Sequence, residues 1–264
     1  MEKQLQRRGA EALWINFYTI FRKEVSRIFR IWTQTILPPV ITQSLYFVIF
    51  GGFVGSQIPD INGISYMAFI VPGLVMMAVI TSSFQNVVGS FFGAKFQKNI
   101  DELLVSPTPN WVIIAGYVMG GVFRGILVGL IVYLVSVFFT HPQVYNFGIV
   151  LLFIVLTAVL FSVGGLVNAI FARKFDDVQI IPTFVLTPLT YLGGVFYSIH
   201  RLPEFWQGVS RLNPVLYMID GFRYGFFGFS DVPIIWSAAM LISLTIAMVA
   251  WANWLLWRGV GMKS

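Results

Sequence analysis

The chain has 264 residues, 57% hydrophobic and 11% charged, whereas a soluble domain carries about 25% charged residues, so an ordinary water-soluble globule is excluded. The absence of cysteine excludes a disulfide framework, a thiol nucleophile and a cysteine metal site, and the two histidines, His141 and His200, are too few for a catalytic metal cluster. The net charge of +6 lies beside apolar runs, which favours membrane orientation and anionic headgroups over nucleic acid.

The polar start, Met1-Glu-Lys-Gln-Leu-Gln-Arg-Arg8, gives way to a long apolar run only near Ile31. That is too late and too long for a cleaved signal peptide, so the N-terminus is expected to be retained. Over residues 11–30, Leu13, Phe17, Ile20, Phe21, Val25 and Ile28 fall at steps of three or four, with Arg22, Lys23, Glu24 and Arg27 mainly off that stripe. The pattern predicts an amphipathic helix in the membrane interface, serving as an anchor or as a surface for a partner.

Six runs are then long enough to cross a bilayer, which takes about 20 mostly apolar residues. They are 31–53, 66–93, 111–139, 147–172, 178–199 and 232–257. The fold class is therefore all-α and integral to the membrane, with one transmembrane domain over 1–264 and no soluble domain in the connections.

Between the second and third runs, the 94–109 loop is short and charged, with Lys95, Lys98, Asp101 and Glu102. Residues 101–105 can form one or two turns, stopped before Pro107. The Leu103-Leu104 pair beside acids suits docking to another protein, although a plain surface loop has the same composition. In the third run, Gly116, Gly120, Gly121, Gly125 and Gly129 give small faces for close packing or for sliding. Arg124 is the sole charge between Trp111 and Thr140. A cation at that depth needs a carbonyl, a hydroxyl or a substrate anion as partner, or must snorkel.

Asp176 and Asp177 follow Arg173 and Lys174 at a boundary, where they suit helix capping. In 200–231, Leu202-Pro203 and Asn213-Pro214 can each open a short helix. The second helix is too short to cross, so it reads as re-entrant or interfacial, with Asp220 and Arg223 three apart and able to pair.

Lys and Arg set the orientation. Lys3, Arg7, Arg8, Arg22, Lys23, Arg27, Arg30, Lys95, Lys98, Arg173, Lys174, Arg258 and Lys263 fall on one side. Arg201, Arg211 and Arg223 fall on the other. Both termini are therefore expected in the cytoplasm. No phosphate loop is present: Gly89-Ser-Phe-Phe-Gly93-Ala-Lys95 lacks the Gly-Lys-Ser/Thr ending. No Ser-His-Asp arrangement is recognisable either, so an enzyme is not expected.

Two segments resemble a known family. Asn213-Pro214-x-x-Tyr217-x-x-x-x-Phe222-Arg223 is similar to the pattern near the last span of ABC type-2 transporter permeases, and Glu102-Leu-Leu-x-Ser106-Pro107 resembles the segment after their second span. The Pro182 to Tyr197 stretch, with Pro188, Tyr191 and Gly193-Gly194, looks like the drug and polysaccharide export branch of bacteria. The resemblance implies the membrane subunit of an ATP-driven exporter in a bacterial inner membrane. Two copies would pair with two separate ATPase subunits that bind ATP and Mg, this chain holding no cofactor of its own. Lys95, Lys98, Asp101, Glu102, Leu103, Leu104, Ser106 and Pro107 would form the coupling element. Asn213, Pro214, Tyr217, Asp220, Phe222 and Arg223 would form the outer gate. Spans 1, 2 and 5 would line the route between protomers, with Tyr46, Phe47, Phe50, Arg124, Tyr191, Phe196 and Tyr197 as candidate lining residues for a hydrophobic, lipid-linked or amphiphilic substrate. Lipids would contact the chain and nucleic acid would not. The alternative is a secondary transporter or channel working alone; such proteins place ionisable groups inside their spans, and here Arg124 is the one clear case.

Overall fold

The computed structural model describes residues 2–61 and 63–261, with side chains described for all of these except 2–8, 101, 104 and 105. The side chains of Asp101 and Leu104, and the charges at Lys3, Arg7, Arg8 and Lys263, thus lie outside the described residues. Among the described residues there is no strand, only an isolated bridge between Ile61 and Ile64.

Helix α1 runs over Glu2–Arg30 and breaks at Ile31. Span 1 follows as α2 (Trp32–Thr35), α3 (Leu37–Tyr46), a π-helix at Phe47–Val54 and a short turn at Gly55–Gln57. Then come α4 (Tyr66–Phe96), α5 (Asn99–Val105), α6 (Asn110–Ser136) and α7 (Phe147–Phe171). A broken helical segment follows, made of α8 (Phe175–Ile181), a π-helix at Pro182–Leu186 and α9 (Thr187–Leu192). The chain closes with α10 (Glu204–Arg211), α11 (Pro214–Phe227) and α12 (Ile234–Arg258).

Five helices are long and apolar enough to cross a membrane: Trp32–Gln57, α4, α6, α7 and α12. The expected crossing at 178–199 does not read as one such helix. The helix that enters it begins at Phe175 and carries Asp176, Asp177 and Gln179, Pro182 and Pro188 remove two backbone donors along it, and its helical part stops at Leu192. α11, at 14 residues, spans roughly 21 Å at 1.5 Å per residue, which is too short to cross.

α4 is the axle of the bundle. It packs against α6, α7 and α11, while α12 lies on α7 and α11, and α1 lies along α6. The most apolar window of α4 is 89% buried inside the chain, against 17% for span 1 and 11% for α12. Span 2 is therefore the core helix of the single chain. The glycines of α6 make this packing possible. A Cβ on Gly129 would lie 2.7 Å from Val79 Cγ2 of α4, and one on Gly120 would lie 2.5 Å from Glu24 Cβ of α1. Gly121, Gly125 and Gly129 face α4 and α7, whereas Gly116 and Gly120 face α1, so both glycine faces serve close helix contact.

Candidate functional site

Three polar assemblies tie α5, α1 and α11 to the core of this bundle. The first surrounds α5. α4 ends at Phe96, and Lys98 takes the left-handed conformation at φ 61°. That turn reverses the chain into α5, a strained choice for a side chain larger than glycine. α5 begins at Asn99, two residues earlier than the loop sequence suggested. Ile100 is buried, Glu102 and Pro107 are exposed, and Leu103 is half-buried against the core. Ser106 Oγ donates to Leu103 O at 2.6 Å and lies 2.9 Å from Thr108 Oγ1, closing the turn before α6. Asn16 of α1 donates to Thr108 Oγ1 at 3.0 Å, so α1 is tied to this loop.

Lys95 points inward. Its Nζ donates to Ile170 O at 2.7 Å and Ala172 O at 2.8 Å, satisfying the end of α7. A cation there meets the negative end of the helix dipole. Of the expected coupling residues, Lys95 is therefore committed to the fold, while Lys98, Glu102 and Pro107 face outward. Nearby, Asp177 accepts from the backbone N–H groups of Arg173 at 2.8 Å and Lys174 at 3.1 Å. Those two bonds hold its carboxyl below the ordinary carboxylate value.

The second assembly lies where α1 meets α4 and α6, and the sequence reading missed it. Glu24 is fully buried. Its Oε2 accepts from Arg27 Nη2 at 3.0 Å and from Asn86 Nδ2 at 3.4 Å, and its Oε1 accepts from Ser90 Oγ. Arg27 also donates to Asn86 O and Oδ1, both at 2.9 Å. Lys23 Nζ sits 5.3 Å from the centroid of the buried Tyr117 ring. Glu24 is one turn from both Ile20 and Ile28, two buried residues, so it sits in the apolar stripe and not off it. A carboxylate at that register was the available signal. On the same helix, Phe21 and Phe29 close on Phe123 of α6, with centroids 6.4 and 6.1 Å away.

The third assembly is at the opposite end, around α11. Asn213 caps α11 by accepting from Val215 N at 2.9 Å, and donates to Leu189 O of α9 at 2.6 Å. Pro214 occupies the first turn, where no N–H is needed. Tyr217 OH donates to Arg211 O at 2.7 Å, linking α11 to α10. Asp220 and Arg223 are buried and form no direct ion pair. Asp220 instead accepts from Asp231 N at 2.8 Å and Val232 N at 2.9 Å, satisfying the turn into α12. Arg223 donates to Gly194 O at 2.6 Å and stacks 4.1 Å from the Phe69 centroid of α4. Backbone groups left over at a turn compete better for these charges than a partner three residues away. Phe222 is core.

The candidate lining residues divide. Tyr46 and Tyr191 share a hydrogen bond at 2.8 Å, and the Phe196 ring centroid lies 4.5 Å from that of Phe50, tilted, and 5.7 Å from that of Tyr46, edge-on. Tyr197 OH donates to Tyr191 O at 3.1 Å. These five residues join span 1 to the α9 turn in one aromatic patch. Phe47 is not part of it: it is fully buried, 5.5 Å from Phe139 in the turn after α6. Arg124 is also elsewhere, 6% exposed, with Nη2 3.3 Å from Thr35 O.

The family model described as ABC-2 type transporter matches residues 15–227. The chain is 57% identical over 253 residues to the inner membrane transport permease YadH of Escherichia coli strain K12, covering 95% of this chain and 98% of that protein. It is 22% identical over 209 residues to nodulation protein J of Rhizobium meliloti strain 1021, covering 79% of this chain and 80% of the relative. Nodulation protein J of Rhizobium leguminosarum bv. trifolii is 23% identical over 213 residues, covering 80% of this chain and 79% of that protein.

Proposed function

The chain belongs to the ABC-2 type transporter family, as a membrane permease subunit, and on that premise we propose that it works as an ATP-driven exporter in a bacterial inner membrane. ATP and Mg are bound by a separate ATPase chain. Two permease copies pair with two ATPases. The 94–109 segment enters the ATPase and α1 lies beside it, which puts both termini in the cytoplasm and the α11 end outside. Residues 178–199, from within α8 through its π-helix, α9 and the turn that follows, complete a sixth crossing. The exposed apolar sides of span 1 and of α8–α9, with Phe53, Ile180 and Phe184 all outward, meet the second copy or the substrate. The aromatic patch at Tyr46, Phe50, Tyr191 and Phe196 suits a hydrophobic, lipid-linked or amphiphilic cargo.

The observation that carries this reading is the α5 turn. It presents Glu102 and Pro107 to solvent from between α4 and α6, the two helices that lead into the core. A push on α5 is thereby delivered to the axle of the bundle, and through Asn16 to α1. In a cycle of this kind nucleotide biases a two-state arrangement of the membrane helices. The test is deletion of residues 101–106 in a tagged chain. The deleted chain should insert normally and lose its ATPase partner on purification, whereas full retention of that partner would overturn the assignment.

A further inference from the structure

Arg124 acquires its role from two prolines. Thr35 closes α2, and in a continuous helix its carbonyl would accept from the N–H of residue 39. Residues 38 and 39 are both proline and carry no N–H. The next donor, Val40 N, goes to Ile36 O at 3.3 Å. Thr35 O would be left unsatisfied at the foot of span 1, where a buried bare carbonyl is costly. Arg124 of α6 supplies the missing donor at 3.3 Å. The hydroxyl of the same threonine reaches back to Ile28 O and Ile31 O, both at 3.2 Å, across the break at Ile31. Thr35 is 2% exposed. One residue thus grips the last turn of α1 with its hydroxyl and α6 with its carbonyl.

We infer that Arg124 is a positioning residue that fixes the elbow between α1 and span 1 by replacing the backbone donor Pro39 removes, and that it is not a substrate-binding group. A substrate anion would need access, and Arg124 is enclosed. α1 is already fastened one turn below by Glu24 in the α4–α6 cleft. With Arg124 at the elbow, α1 and span 1 move as one bent lever about α6. Only the last step, that this lever carries ATPase motion to span 1, rests on the exporter reading.

The chain has no cysteine, so paired labels need no background removal. Nitroxides at Tyr18→Cys and Leu45→Cys, both exposed positions, report the elbow by pulsed electron spin resonance of the permease in nanodiscs without nucleotide. Diluted with excess unlabelled chain, so that a pair of copies carries at most one labelled chain, the otherwise unmodified double-cysteine chain should give one narrow distance. Arg124→Met should at least double the width of the distribution or shift its centre, and adding Pro39→Ala, which restores an N–H opposite Thr35 O, should return it to the original. Arg124→Lys keeps a donor and should remain close to the original, and it serves where Arg124→Met fails to insert. An unchanged distribution in Arg124→Met, a failure of Pro39→Ala to restore it, or an Arg124→Lys distribution as broad as that of Arg124→Met would each overturn the inference. These distances are read without an ATPase, so a failed exporter reading leaves them intact. Loss of partner-stimulated ATP hydrolysis in Arg124→Met, with rescue by Pro39→Ala, tests the lever separately.

Discussion

The Glu24–Arg27 pair is buried unequally, and that inequality sets an order among variants. Glu24 is fully enclosed, whereas the Arg27 side chain keeps 27% of its surface exposed. Removing the cation with Arg27→Met strands a carboxylate that cannot reach water. Breaking a buried pair in this way costs about 3–5 kcal/mol, and the partial exposure of Arg27 places the expectation near ~3 kcal/mol. Glu24→Gln keeps the shape and one acceptor. Arg27 then retains Asn86 O and Oδ1, both at 2.9 Å, and turns its remaining charge to solvent, a loss of about 1 kcal/mol. For a chain of this size each kcal/mol moves the unfolding midpoint by about 2–4 °C. Arg27→Met should therefore lower the midpoint in a single mild detergent by roughly 6–12 °C, and Glu24→Gln by about 2–4 °C. The double variant should recover most of the Arg27→Met loss, since no charge is then stranded. Equal losses for the two single variants, or additive losses in the double, would refute this account of the cluster.

Other outcomes follow from the same geometry. Gly120→Ala places a Cβ 2.5 Å from Glu24 Cβ and should push α1 off α6, seen as faster proteolysis within α1, whereas Gly93→Ala meets nothing within 4 Å and should be neutral or stabilising by up to about 1 kcal/mol. Lys95→Met should lower the unfolding midpoint by leaving the α7 carbonyls bare yet keep partner association, while Glu102→Lys, on the exposed side of α5, should do the reverse in a co-purification assay. Asp177 has its pKa lowered by two backbone N–H groups, so its contribution is complete above the ordinary carboxylate value and is lost as pH falls through the lowered one. Thermal scans between pH 6 and pH 2 should show that acid loss in the parent chain and a flatter profile in Asp177→Asn, and identical profiles would contradict the capping role.

The helices were legible because long apolar runs have few alternative folds in a bilayer, and the short α10 and α11 were legible from Pro203, Asn213 and Pro214. The breaks within span 5 were not, because its apolar count conceals Pro182 and Pro188, whose effect is on backbone hydrogen bonding and not on hydropathy. The polar partners were largely illegible for a related reason. Arg124, Arg223 and Lys95 bind backbone carbonyls and Asp220 binds backbone N–H groups, and a backbone group leaves no mark in a sequence. Pro39 is the exception, since it announces a bare carbonyl four residues earlier. Glu24 was hidden by the habit of assigning every charge of an amphipathic helix to its wet face, although its register beside Ile20 and Ile28 placed it otherwise.

The destinations of these charges bear on how the protein is driven. A carrier that works alone on an ion gradient needs an ionisable group in the membrane whose partner is exchanged during the cycle. Arg124 holds Thr35 O, Arg223 holds Gly194 O, Lys95 holds the end of α7, and Asp220 holds the amides of Asp231 and Val232. None of these backbone partners can leave without opening a helix end or a turn. Among the described residues Glu24 is the buried carboxylate held entirely by side chains, in Arg27, Asn86 and Ser90. It is thus the position at which the two drives diverge. Glu24→Gln mimics a carboxyl that never releases its proton. A proton-coupled carrier would lose nearly all gradient-driven transport in that variant. An ATP-driven permease should lose only what the weakened seat of α1 removes, a few-fold at most in partner-stimulated ATP hydrolysis. Measuring both in proteoliposomes, with and without an imposed pH gradient, separates the two, and abolition of transport by Glu24→Gln under the gradient alone would sink the ATP-driven reading.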